Sequence, residues 1–181
     1  YPFGHEGGGN LDKKRILSWL TDVCATEATK IFHNAMYDVC WLRSYGIKVN
    51  GHIMDTMVMA SLVDENRMRY TLNALSWEYL GERKSEATLF EIAKNWGIDP
   101  KAELYKLPAI YVGEYAEKDA SLTLDLFKRL SHQIKKDNLT EIFNLETQLF
   151  PCLVDMRFKG VRVDVEKAHR LKEKLLEQEK E

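Results

Sequence analysis

Two short stretches lie roughly 80 residues apart in this 181-residue chain. The first is His33-Asn34-Ala35-Met36-Tyr37-Asp38 and the second is Tyr115-Ala116-Glu117-Lys118-Asp119. Each ends in an aspartate. In the second, a tyrosine precedes the aspartate by four residues inside a helical pattern. Four residues make about one helical turn, so Tyr115 and Asp119 project from the same side. A phenol and a carboxylate on one face, joined by an aspartate from the start of another helix, could hold a divalent metal and a water.

A packing alternative stands beside each motif. Asn34 can cap a helix that follows it, with Asp38 a first-turn acid favoured by the dipole. Tyr115 can be a core aromatic beside a surface acid on a long helix. Taken together, in this order and between these elements, the two motifs favour the chemical reading.

The elements that must position these residues are legible from periodicity. A loop carrying Gly7-Gly8-Gly9 leads into an amphipathic helix from Leu11 to about Cys24. Lys30–His33 reads as a strand, broken by Asn34, and residues 35–44 read as a helix ended by Gly46. Ile47–Ile53 suggests a second strand. Asp55 is placed to cap a helix through about Leu62. Thr71–Leu80 reads as a helix stopped by Gly81. Residues 82–108 are polar and mixed, with a helical stretch near Leu89–Trp96. From Ala109 to about Lys136 the 3.6-residue period runs long, and helix resumes near Leu139. Lys159-Gly160 then marks a turn, Val161–Val163 a short strand, and Asp164 the cap of a charged final helix running to Lys180-Glu181.

Composition bounds the rest. At 45% hydrophobic and 30% charged residues, the chain has the make-up of a globular domain with a real core. A formal net charge of -2 makes any nucleic-acid contact a local matter. Three widely spaced cysteines, Cys24, Cys40 and Cys152, read as buried thiols in a reducing compartment. The five histidines lack zinc-site spacing. No apolar run approaches the roughly 18 residues of a membrane span. The chain opens at Tyr1 rather than Met and carries no signal peptide, which reads as a piece of a longer protein.

His33–Asp38 resembles the second motif of the DEDD 3′–5′ exonucleases, and Tyr115–Ala120 resembles their third motif in its tyrosine form. Tyr1-Pro2-Phe3-Gly4-His5, Met54-Asp55-Thr56-Met57, and Leu72-Asn73-Ala74-Leu75 leading to Tyr79-Leu80-Gly81 resemble the proofreading domain of family A DNA polymerases. Phe150–Met156 and Gly160-Val161-Arg162-Val163-Asp164 resemble the junction where that family's polymerase domain begins. The resemblance covers nearly the whole chain and weakens over residues 82–108.

The resemblance implies an α/β, ribonuclease H-like fold, a mixed sheet flanked by helices. It implies an exonuclease domain over residues 1–140 and the start of a polymerase domain over 141–181. It implies metal-dependent removal of nucleotides from the 3′ end of single-stranded DNA, using two divalent ions, Mg²⁺ or Mn²⁺. Asp38 and Asp119 would be metal ligands, since such hard ions take carboxylate oxygens. Tyr115 would orient the attacking water; a phenol is neutral at pH 7 and so positions rather than deprotonates. Asn34 and Tyr37 would touch the terminal nucleotide, and Arg69 or Arg67 a backbone phosphate. A monomer in the cytoplasm of a bacterial cell or phage-infected host, covalently linked to a downstream polymerase domain, completes the expectation.

One feature departs from the family. Its first motif, an Asp-x-Glu strand that supplies the other two ligands, has no match upstream of residue 33. The first strand or strands are therefore expected to be missing from this chain, and the fragment itself to be inactive. Two other readings stand alongside: a ribonuclease D-like RNA exonuclease, and a degenerate exonuclease-like scaffold without catalysis. The Gly160–Asp164 junction, polymerase-like in character, weighs against the first. Intact Asp38, Tyr115 and Asp119 weigh against the second.

Overall fold

Several of the helices start where short polar side chains satisfy the free N–H groups of a first turn. Asp12 Oδ1 accepts the Arg15 N–H at 2.7 Å and opens α1, Lys13–Ala25. Thr71 accepts from Ala74 and opens α4, Leu72–Leu80. Between them lie β1 (Lys30–Phe32), α2 (Ala35–Ser44), β2 (Ile53–Asp55) and α3 (Thr56–Val63). Then follow α5 (Ala87–Asn95), a 3₁₀ turn (Leu104–Lys106), α6 (Ala109–Lys136), α7 (Thr140–Lys159) and α8 (Val165–Gln178). The structure, a computed structural model, describes residues 1–83, 87–100 and 102–179. Within the mixed stretch expected over 82–108, residues 84–86 and 101 lie outside the described residues, as do Lys180 and Glu181 of the expected final helix.

The sheet visible in the described residues is a parallel pair, β1 with β2, in the register Lys30↔Ile53, Ile31↔Met54 and Phe32↔Asp55. Parallel strands need a crossover, and α2 provides it. The α/β class expected from the sequence is what the structure shows.

Two strand boundaries differ from the expected ones. The second strand begins at Ile53 rather than Ile47, because the chain turns at Gly51 (φ 74°). A Cβ there would sit 2.6 Å from the Ala28 carbonyl oxygen, so only glycine fits. Val161–Val163, expected as a strand, is irregular chain outside any sheet, with Val161 89% exposed. β-branched residues favour extended backbone, but a strand needs a neighbour to bond with, and none pairs here among the described residues.

By its contacts the chain divides into two units, Tyr1–Phe150 and Pro151–Glu181. The first holds the core. Leu122, Leu126, Leu130 and Ile134 form one buried stripe of α6, against which Met59 and Ala60 of α3 and Leu72 and Leu75 of α4 pack. Their spacing is the i, i+4, i+8 pattern of a helix face. A smaller cluster, Leu89, Ala93 and Leu107, packs beside the first half of α6. The second unit contains the end of α7, the irregular 160–164 segment, and α8, capped by Asp164 Oδ1 accepting the Lys167 N–H. No helix among the described residues is long and apolar enough to cross a membrane.

Candidate active site

β1 ends at Phe32, and two residues later the backbone turns sharply. Asn34 adopts the left-handed conformation (φ 67°, ψ 54°), which asparagine tolerates better than most residues. That turn aims the first N–H groups of α2 back toward the sheet. The packing alternative for Asn34 does not hold: its side chain makes no capping bond to α2. Asp55, at the end of the neighbouring strand, takes that role. Its Oδ2 accepts the Ala35 N–H at 2.7 Å, and its Oδ1 accepts those of Asn34 at 3.0 Å and Met57 at 2.8 Å. One buried carboxylate thus starts both α2 and α3.

Thr56, fully buried, adds a second tie. Its hydroxyl donates to the Phe32 carbonyl at 3.1 Å and lies 2.9 Å from His33 Nδ1. The end of β1 and the start of α3 are therefore locked together behind the turn.

On this frame sits a cleft of about 620 Å³, lined by His33, Asn34, Tyr37, Asp38, Asp119 and Thr123 among others. The two aspartates that the sequence sets roughly 80 residues apart face the same space. Asp38, in the first turn of α2, has its pKa raised, first by burial and then by the negative charge of Asp55; its hydrogen bonds to backbone pull it back. Asp119 sits on α6 with its Oδ1 shielded from solvent. The Thr123 hydroxyl donates to the Asp119 carbonyl at 2.8 Å, one turn further along. Asn34 and Tyr37 lie exposed at the cleft's lip.

Two of the expected site residues stand elsewhere. Tyr115 lines an adjoining cavity of about 710 Å³ with Leu89, Glu114 and Lys118, and packs against the Leu89–Ala93–Leu107 cluster. Arg69 is exposed and is not part of the cleft wall. Its neighbour Arg67 is held by Glu78, with Nη1 donating to Oε1 at 2.5 Å and Nη2 to Oε2, and lies over the Tyr79 ring. That fork anchors the 64–71 segment to α4 instead of facing the cleft.

The structural part of Asp55 was missed in the sequence, where it reads as an ordinary cap for α3. The signal that locates it, an N–H pair 20 residues upstream, exists only in three dimensions.

The donor chemistry of the cleft suits a hard divalent ion, because Asp38 and Asp119 bring carboxylate oxygens to one space. Among the described residues, no three His, Cys, Asp or Glu side chains are grouped to hold a metal.

The chain is similar to known proteins over most of its length. The model of a family described as 3′–5′ exonuclease, of the DNA polymerase A kind, matches residues 10–135. A "DNA-directed DNA polymerase" of Pseudomonas phage M6 is 33% identical over 99% of this chain and 28% of its own length. A "DNA polymerase I" of Chloroflexus aurantiacus is 27% identical over 91% of this chain and 17% of its own. The chain therefore spans well under a third of these relatives. A solved structure described as the "apo form of the nuclease" superimposes with a TM-score of 0.62 at 19% identity, covering 85% of this chain and 68% of that one. At that identity it speaks for the fold alone.

Proposed function

Since the chain belongs to the 3′–5′ exonuclease family of A-type DNA polymerases, whose members normally depend on metal, we propose that the Asp38–Asp119 cleft receives the 3′ end of single-stranded DNA and hydrolyses its last phosphodiester. The observation that carries this reading is the convergence of both motif aspartates on one cleft whose lip bears Asn34 and Tyr37. Relatives named as DNA polymerases favour DNA over the RNA of a ribonuclease D-like enzyme.

Each residue then has a task. Tyr37, exposed, offers its ring to the terminal base, and Asn34 its amide to the same nucleotide. Asp38 and Asp119 would hold divalent ions, Mg²⁺ or Mn²⁺, of which the family uses two. Such ions, when bound, supply Lewis acidity at the scissile phosphate. Asp55 fixes the turn that presents Asp38. Tyr115, one turn before Asp119, would orient the water, and its ring must turn from the Leu89–Ala93–Leu107 cluster to do so. Arg69, exposed on the 64–71 segment, would meet a phosphate further along the strand.

Two carboxylates hold Mg²⁺ weakly, because that ion keeps its waters and demands octahedral geometry. The proposed activity is therefore that of a longer, monomeric polymerase in which residues 1–140 belong to the exonuclease domain and 141–181 begin the polymerase. It acts in the cytoplasm of a bacterium or a phage-infected host.

The test is Asp119→Ala in the polymerase that contains this chain. Mg²⁺-dependent digestion of single-stranded DNA should fall by at least about a hundredfold while polymerisation persists. Tyr115→Phe in parallel should lower turnover without raising KM. Undiminished digestion by Asp119→Ala overturns the ligand assignment, and an unaffected Tyr115→Phe overturns the water-orienting role.

A further inference from the structure

The exposed face of α2 carries aromatic rings at every helical turn. Tyr37 is 55% exposed, Trp41 55% and Tyr45 45%, and the three stand at i, i+4 and i+8. That spacing places them in one stripe about 12 Å long. Tyr37 and Trp41 meet edge to face, with ring centroids 6.3 Å apart. At the far end, Lys13 Nζ lies 5.1 Å from the centroid of the Tyr45 ring, whose edge meets Phe3 at 6.3 Å. Large aromatic rings left in water at successive turns do nothing for the core, which lies on the opposite side of the helix through Ala35 and Val39.

The geometry points to a stacking track for single-stranded DNA: Tyr37 serves the terminal nucleotide and the one before it, Trp41 and Tyr45 receive the one or two nucleotides that precede those, and Lys13 meets a phosphate at the end of the run. The inference rests on the exonuclease reading above and extends it from the last nucleotide to the strand behind it. Three relations single out this occupant. The stripe is continuous with the cleft, since Tyr37 lines both. Its length suits three or four nucleotides at about 3.4 Å per stacked base. A row of rings ending in an ammonium group is the pairing of stacking surface and cation that sequence-tolerant single-strand binders use. An apolar protein partner would not call for that cation.

The experiment is a calorimetric titration of the purified chain with a thymidylate dinucleotide and a hexanucleotide, in EDTA so that neither is cut. The hexanucleotide should bind the unaltered chain at least about tenfold tighter than the dinucleotide. Trp41→Ala should remove about tenfold of hexanucleotide affinity and leave the dinucleotide unchanged, while Trp41→Phe keeps most of the advantage. Trp41→Gln, a polar replacement at an exposed position, repeats the test with an independent variant. If the hexanucleotide advantage survives in both Trp41→Ala and Trp41→Gln, the rings face some other surface and the track is overturned. If the unaltered chain binds neither oligonucleotide, the exonuclease reading fails first and the track falls with it.

Discussion

The Asp55 carboxylate accepts the backbone N–H of Ala35 at 2.7 Å, across 20 residues of sequence, and thereby fixes where α2 begins. Because Asp38 sits in the first turn of that helix, the bond sets the position of a proposed metal ligand from the neighbouring strand. The same carboxylate raises the Asp38 pKa through its charge, second to burial.

Asp55→Ala should therefore damage the cleft and the fold together. Three backbone N–H groups lose their acceptor at a site 8% exposed. Each orphaned buried donor costs about 1–3 kcal/mol, partly recovered where water enters, so the total loss should be on the order of 3 kcal/mol. Urea denaturation reads the stability. A variant as stable as the parent chain would show that other groups hold the turn.

Backbone and side chain can be separated at Asn34. In the left-handed conformation a Cβ-bearing residue without a local polar group is penalised by about 1–2 kcal/mol. Asn34→Ala should lose about that much stability, whereas Asn34→Gly should stay within about 0.5 kcal/mol of the parent. Both lack the amide proposed to touch the terminal nucleotide, so both should raise KM for single-stranded DNA in the polymerase that contains this chain. Thermal melts and steady-state kinetics on the two variants separate the effects, and a normal KM in the stable glycine variant would exclude the nucleotide contact.

Stability should also report the Arg67–Glu78 fork. The guanidinium holds the Glu78 carboxyl below its ordinary value, chiefly by hydrogen bonding and then by charge. A carboxyl depressed in the folded state contributes stability that is complete above its unfolded pKa, near 4.5. The contribution fades as pH falls through the lower folded value. Glu78→Gln should therefore be less stable than the parent at neutral pH, by at most about 1 kcal/mol because Glu78 is half exposed and screened. The difference should close as pH drops below about 4. Melting temperatures from pH 3 to 7 would reveal it, and a gap that persists at pH 3 would contradict the pair.

Periodicity alone sufficed for most helices. α2 and α6 fall where their apolar spacing puts them, residues 35–44 and 109–136, because a helix writes its 3.6-residue period into the local sequence. A strand does so less, since its existence depends on a partner. Val161–Val163 has the residues of a strand and no neighbour among those described, while Ile53–Asp55 pairs with β1 once Gly51 lets the chain turn.

The two motifs, His33–Asp38 and Tyr115–Asp119, stand out in the sequence by residue type and spacing, and the family was legible from it. Local order was enough for that, because each motif lies within one or two helical turns. Which residues share a cleft was decided only by the tertiary structure. Packing of α3 and α4 on α6 brings Asp119 to Asp38, leaves Tyr115 against Leu89 in the adjoining cavity, and ties Arg67 to Glu78. Asp55 is the clearest case. Its carboxylate reads as a cap for the helix that follows it, yet it also starts the helix before it, through hydrogen bonds that close only when β1 and β2 lie side by side.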